Sequence, residues 1–177
     1  MGRPARDGPD GEHRKGGIAV IRMKVKGVAM DQHMNPVVLL TDADERMALP
    51  IWVGAAEAQA IALQLQGVTP PRPMTHDLLR SILQEMSVSL TRIVVNDVRD
   101  QTYYAEIHLR REGQEHTIDS RPSDAIALAL RMQAPIFVDE KVAAHAIPLK
   151  GADDEEMEEW RRFLDTVKPA DFRKSLH

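Results

Sequence analysis

Residues 117–140 read TIDSRPSDAIALALRMQAPIFVDE, and this stretch decides the fold. A short polar segment leads to Pro122, after which alanine, isoleucine and leucine recur at helical spacing. Proline is favoured at the first position of a helix because its missing N–H group costs nothing there, so we predict a helix that begins near Pro122. Asp124 would then lie in the first turn, where a carboxylate interacts well with the free N–H groups and the helix dipole.

A similar pattern occurs 67 residues earlier in the chain. Residues 51–68, IWVGAAEAQAIALQLQGV, align with residues 118–135 so that six of eighteen positions are identical and Glu57 lies opposite Asp124. The identical pairs are Ile51/Ile118, Ala58/Ala125, Ala60/Ala127, Ala62/Ala129, Leu63/Leu130 and Gln66/Gln133. Strand-like segments precede each copy and a second helical pattern follows each, which indicates an internal duplication of a unit with three strands and two helices.

The duplication predicts an α+β fold. The units, residues 23–87 and 88–150, are expected to form one curved, barrel-like sheet that closes, with the helices packed outside. Residues 1–22 are rich in glycine, proline and charge, which is typical of a disordered tail. Residues 151–177 are predicted to be an acidic helical appendage.

The composition limits the classes of function. Acidic residues outnumber basic ones, 27 to 23, so a broad basic surface that neutralises many phosphates is not expected. The absence of cysteine excludes disulfides and thiolate chemistry and suits a reducing, cytoplasmic location. No apolar run approaches the roughly 20 residues of a membrane span, and the first residues lack the apolar segment of a secretory signal.

The segment THDLL at residues 75–79 contains the first candidate site. His76 is a candidate acid or base near neutral pH, and the adjacent Asp77 could orient it or bind a ligand. The alternative is structural: Thr75 caps a helix whose first turn contains Asp77. In that helix Leu78, Leu79 and Ile82 are predicted to face the core.

The second candidate site is the helix start at residues 119–124. Arg121 and Ser123 could bind a phosphate there, since the start of a helix attracts anions. A well-capped helix accounts for Pro122, Ser123 and Asp124 but requires neither Asp119 nor Arg121. Arg110 is a further candidate phosphate contact, with a solvated strand face as its alternative.

Five segments together are similar to the bifunctional nuclease family. They are VKGVAMD (25–31), PMTHDLL (73–79), YYAEIHL (103–109), SRPSDAIALALR (120–131) and FLDTVKPADF (163–172). The resemblance covers residues 23–150, and the C-terminal appendage is typical of bacterial members. It implies a duplicated, barrel-like fold, a homodimer, and hydrolysis of both RNA and DNA. Membrane attachment is not expected, because no apolar run is long enough to span a membrane.

A nuclease of low sequence specificity is therefore the predicted function, with metal-assisted hydrolysis as the hypothesis. Magnesium or manganese would be held by Glu57, Asp119 and Asp124, because these ions prefer carboxylate oxygens. His76 would be the acid or base, with Asp77 and Asp119 beside it, while Arg121 grips the phosphate. The alternative is a non-catalytic binding or regulatory module of the same fold, which the acidic net charge favours.

Overall fold

The computed structural model describes residues 19–149, together with residues 155, 158, 162, 168 and 169. The strands are β1 (Val20–Met30), β2 (Pro36–Asp42), β3 (Met47–Trp52), β4 (Ser89–Arg99), β5 (Thr102–Arg111), β6 (Gln114–Ser120), β7 (Ile136–Asp139), β8 (Ile147–Pro148) and β9 (Lys168–Pro169). The helices are α1 (Ala55–Leu65), α2 (Thr75–Glu85), α3 (Pro122–Met132) and α4 (Glu140–Ala143). Of the predicted N-terminal tail (1–22), residues 1–18 lie outside the described residues. Most of the predicted appendage (151–177) lies outside them as well.

The strands form one sheet in the order β6-β5-β4-β7-β1-β2-β3-β8, and the short β9 pairs with β1. Neighbouring strands are antiparallel except β4 and β7, which are parallel. Within the described residues the end strands β6 and β8 do not pair with each other, so the sheet is open. The α+β class is confirmed. The expected closure of the sheet is wrong, and its barrel-like curvature stays a prediction.

Both halves of the chain contain a three-stranded antiparallel meander followed by a helix. In the first half α2 follows α1, whereas in the second half the strand β7 lies between α3 and α4. The sequence pattern did not predict β7, which is only four residues long and directly follows α3. The internal duplication stays a prediction.

The helices α1 and α3 pack against each other through their alanine side chains. Small side chains let two helix backbones approach closely, and the alanines of both helices are buried. They are Ala58, Ala60 and Ala62 in α1 and Ala125, Ala127 and Ala129 in α3. The start of α3 at Pro122, with Arg121 as its N-cap, confirms the sequence prediction. The packing brings the N-terminal turns of α1 and α3 to the same side of the molecule, where the candidate site lies.

The helix α2 differs from the prediction in two respects. Its N-cap is Met74, and Thr75 is the first helical residue, so Thr75 does not cap the helix. Leu78 and Ile82 are exposed, and the buried face is formed by His76 with the partly buried Leu79 and Leu83. Both faces carry leucine or isoleucine, so apolar spacing alone cannot choose between them. The polar contacts of His76 and Asp77 with α3, described below, turn this face inward.

No helix in the described part of the chain combines the length and hydrophobicity that crossing a membrane requires. The cytoplasmic location and the homodimer stay predictions.

Candidate functional site

Four predicted site residues form one hydrogen-bonded network between the helix starts. Arg121 donates from Nε to Asp124 Oδ2 at 2.7 Å and from Nη2 to Glu57 Oε1 at 2.9 Å. His76 Nε2 lies 2.9 Å from the other oxygen of Asp124, Oδ1. Glu57 and Asp124 occupy the third position of α1 and α3, as the repeat alignment predicts. The network therefore connects α1, α2 and α3 through one arginine and one aspartate.

The network holds Asp124 and Arg121 in their charged forms. Burial raises the pKa of Asp124, but hydrogen bonds from Arg121 and His76 outweigh it and hold the pKa below the ordinary value of 3.8. Hydrogen bonds to Asp124 and Glu57 raise the pKa of Arg121. Arg121 has 64% of its side chain exposed, while His76 is only 7% exposed. Arg121 is thus the most accessible member for a ligand. The buried His76 contacts Asp124, which in turn holds Arg121.

Asp77 belongs to a second, more buried pair. Arg131 donates from Nε to Asp77 Oδ1 at 2.7 Å and from its terminal nitrogens to the carbonyl oxygens of Ala127 and Ala60. The other oxygen of Asp77 accepts the backbone N–H of Met74 at 3.0 Å, as a first-turn carboxylate does. These contacts join the three helices, which is a structural role. The predicted catalytic role of Asp77 stays a prediction.

An open groove of about 850 Å³ lies beside the network. Its walls come from the end of β3, the β4–β5 turn, the turn after α4 and the first residues of α3. The lining residues that bear on function are Trp52, Gly54, Tyr103, Arg121, Ser123 and His145. Arg121 is therefore both the centre of the ion network and part of the groove wall.

Two helix N-termini open onto this groove. The N-cap of α1 is Gly54, which has no side chain, and the N-cap of α3 is Arg121, which has no acceptor atom, so neither residue caps the N–H groups of its first turn. Ser123, in the first turn of α3, is 5% exposed and lines the groove. Among the described residues its hydroxyl makes no hydrogen bond, and it is not sealed from solvent. Free N–H groups, a free hydroxyl and an arginine on one wall suit an anionic ligand.

Two predicted site residues lie elsewhere. Asp119 is exposed on β6, opposite Glu106 of β5, and within the described residues no hydrogen bond or ion pair joins it to the Arg121 network. Arg110 lies farther along β5, where it pairs with Glu115 at 3.1 Å. Its charge is compensated there, which favours the solvated strand face. Their catalytic and phosphate-binding roles stay predictions.

The predicted metal ligands do not assemble in the described structure. Within it, no group of three or more His, Asp or Glu side chains is arranged to hold a metal ion. Glu57 and Asp124 instead share the guanidinium of Arg121, which already supplies the positive charge between them. As arranged, the residues do not form the predicted magnesium or manganese site, and a metal stays a prediction.

Trp52, Tyr103 and His145 line the groove but were not among the predicted site residues. Trp52 had a usable signal, because aromatics are only 4% of the chain and this one stands two residues before a helix N-cap. His145 had none. It reaches the groove only because the chain turns after α4, which is a tertiary feature.

The carboxylates of the two pairs predict how stability depends on pH. Burial raises the pKa of Asp77, but hydrogen bonds from Met74 and Arg131 outweigh it, so both Asp77 and Asp124 have lowered pKa values in the folded state. Their contribution is complete above the unfolded value of about 4 and is lost as the pH falls through the folded pKa. We expect the urea concentration at the unfolding midpoint to decrease as the pH drops below about 4. In Asp124→Asn this decrease should be smaller.

Urea unfolding followed by circular dichroism, from neutral pH into the acid range, measures this dependence. Asp100→Asn, in the exposed β4–β5 turn, is the control. If the urea midpoint depended on pH equally steeply in wild type and Asp124→Asn over the acid range, the role assigned to Asp124 would be contradicted.

The chain is similar to proteins of one known family. A family model described as the bifunctional nuclease domain matches residues 38–148. An uncharacterized protein of Mycobacterium tuberculosis is 40% identical over 162 residues, which cover 85% of this chain and 97% of that protein.

Plant relatives are more distant. Bifunctional nuclease 1 of Oryza sativa subsp. japonica and bifunctional nuclease 2 of Arabidopsis thaliana are each 26% identical over 112 residues, which cover 62% of this chain and 34% of the plant protein. This chain therefore matches about one third of each plant protein. The length of the family match and the coverage of the mycobacterial relative agree with the resemblance seen in the sequence: the chain belongs to the bifunctional nuclease domain family.

Proposed function

We propose that the chain is a nuclease that hydrolyses phosphodiester bonds in RNA and DNA with low sequence specificity, and that the groove beside Arg121 binds the substrate backbone. The observation that carries the proposal is the shared opening of two uncapped helix N-termini and Arg121 onto one groove. The names of the plant relatives support the reaction class.

Arg121 is the phosphate-binding residue in this proposal. Two of its N–H groups are held by Glu57 and Asp124, which fixes the plane of the guanidinium. The remaining N–H groups are available to phosphate oxygens, and a planar fork suits bidentate phosphate binding. The free N–H groups and hydroxyl at the start of α3 add donors that recognise a phosphate but read no base, which accounts for low sequence specificity.

His145 is the acid–base residue in this proposal. A general acid or base must reach the proton that it transfers, and His145 is exposed and lines the groove. His76 is buried and bonded to Asp124, so we assign it to positioning Asp124 and, through it, Arg121.

A nuclease assay on highly purified protein tests the proposal. Single-stranded RNA and DNA are incubated with Mg²⁺, Mn²⁺ or EDTA, beside His145→Ala and the control His116→Ala, which alters an exposed histidine of β6. We expect cleavage by wild type and His116→Ala, and a rate about 100-fold lower for His145→Ala, the low end of the usual effect of an acid–base group.

The assay tests the metal requirement, the role of His145 and the cleavage reaction itself. Loss of cleavage in EDTA would establish the metal requirement that the sequence predicts. Equal cleavage by the wild type and His145→Ala would remove His145 from the mechanism. Binding of nucleic acid without cleavage under any condition would overturn the nuclease and leave a binding module.

A further inference from the structure

Trp52 is an exposed aromatic residue on the wall of the groove. It ends β3, two residues before the N-cap of α1, and 49% of it is exposed. Leaving a large aromatic surface in water forgoes the free energy of burial, so an exposed tryptophan in a concave site indicates a ligand surface. Trp52 thus adds an apolar face to a groove that Arg121 and Ser123 also line.

A loop carboxylate holds the Trp52 ring in place. The indole Nε1 donates to Asp31 Oδ2 at 3.1 Å. Asp31 Oδ1 accepts the backbone N–H groups of His33 and Asn35 at 2.8 and 2.9 Å, and the Asn35 side chain donates to Oδ2 at 3.2 Å. The Asn35 backbone hydrogen bond is the largest cause that lowers the pKa of Asp31, to about 2, so the carboxylate is ionised at neutral pH. The ring is therefore oriented before any ligand arrives.

The low positive charge of the groove favours binding of single-stranded nucleic acid over binding of a duplex. Arg121 is the one Lys or Arg among its described lining residues. A duplex-binding surface gains affinity mainly by neutralising many phosphates, which this wall cannot do. A single strand can add base stacking on an aromatic ring, an interaction that is independent of charge and tolerant of sequence.

We infer that the groove takes single-stranded nucleic acid, with one unpaired base stacked on Trp52 and a neighbouring phosphate at Arg121 and the first turn of α3. This deepens the proposed function and rests on it for the phosphate position. Ser123 supports the assignment independently of the helix start, because the residue is only 5% exposed, lines the groove, and makes no hydrogen bond through its hydroxyl among the described residues.

Tryptophan fluorescence of the full chain tests the inference. The variant Trp160→Phe removes the other tryptophan, so the signal reports Trp52. The probe is a short single-stranded oligothymidylate with a phosphorothioate backbone, which resists cleavage, beside a duplex hairpin of the same backbone. We expect quenching by the single strand, weaker binding of the hairpin, and about tenfold weaker single-strand binding by Trp52→Ala in an anisotropy titration with labelled oligonucleotide.

Two controls separate stacking from loss of structure. Trp52→Phe keeps an aromatic face and is expected to bind within about threefold of wild type, since stacking needs a π face. Leu65→Ala removes an exposed apolar residue at the far end of α1 and is expected to bind like wild type.

The outcomes distinguish this inference from the proposed function. If the oligonucleotide binds and binding depends on Arg121, but Trp52→Ala binds equally well or the hairpin binds as tightly as the single strand, the inference is overturned and the proposed function stands. If neither probe binds and neither RNA nor DNA is cleaved, the proposed function fails and the inference fails with it.

Discussion

Replacing Asp77 with alanine is expected to lower the free energy of unfolding by about 3 kcal/mol or more. The side chain of Arg131 is only 2% exposed, and Asp77 is the carboxylate that pairs with it. Without Asp77 the guanidinium keeps its bonds to the Ala60 and Ala127 carbonyl oxygens, but its charge is buried and uncompensated. The backbone N–H of Met74 also loses its acceptor at the start of α2.

Urea denaturation at neutral pH measures the loss, and two further variants identify its cause. Asp77→Asn can still accept hydrogen bonds but carries no charge, so we expect an intermediate loss. Asp77→Ala combined with Arg131→Met removes both charges and should be more stable than the sum of the single effects, because the penalty arises from an unpaired charge.

Arg110→Ala is the matched control for removing one partner of an ion pair. Arg110 and Glu115 are both about half exposed, so breaking their pair is expected to change stability by less than about 1 kcal/mol. A loss for Asp77→Ala no larger than that of Arg110→Ala would show that the buried pair does not hold the three helices together.

Local chemistry explains which parts of the fold were predictable. The start of α3 at Pro122 and the first-turn positions of Glu57 and Asp124 depend on residues a few positions apart, and the sequence predicts them correctly. The buried face of α2 was predicted wrongly because it depends on partners in α3: His76 contacts Asp124, 48 residues away, and Asp77 contacts Arg131, 54 residues away. Apolar periodicity carries no information about such pairs.

The candidate site shows the same limit. Closeness in sequence places Asp119 beside Arg121, but the residue alternation of a strand and the turn into a helix separate their environments. The carboxylate that Arg121 binds across the helices is Glu57, 64 positions away. Residue types at the helix start suggested anion binding, whereas the groove, with Trp52 and His145 on its walls, depends on how the sheet and helices pack.

Arg121→Ala is expected to reduce cleavage of RNA and DNA about 1,000-fold while the fold is retained. Removing one preorganised donor that stabilises developing negative charge costs about 100- to 1,000-fold by itself. Here the change also leaves the carboxylates of Glu57 and Asp124 without their shared cation beside the substrate phosphate. Repulsion of the phosphate adds to the lost attraction, which is why we expect the upper end of the range.

Two companion variants test that explanation. Arg121→Ala combined with Glu57→Gln removes one of the uncompensated charges and should recover part of the activity. Arg121→Lys keeps a positive charge but lacks the planar fork that spans Glu57 and Asp124, so we expect an intermediate rate.

Initial rates over a range of substrate concentrations, with thermal unfolding measured beside them, decide the role of Arg121. The Arg121 side chain is largely exposed, whereas Glu57 and Asp124 are partly buried, so we expect Arg121→Ala to lower the free energy of unfolding by less than Asp77→Ala and still to unfold cooperatively. Unchanged cleavage by folded Arg121→Ala would place the substrate phosphate outside this groove. Lost cleavage with a retained fold, restored in part by Glu57→Gln, would place the phosphate beside Arg121 between the starts of α1 and α3, where the charge of Glu57 opposes it.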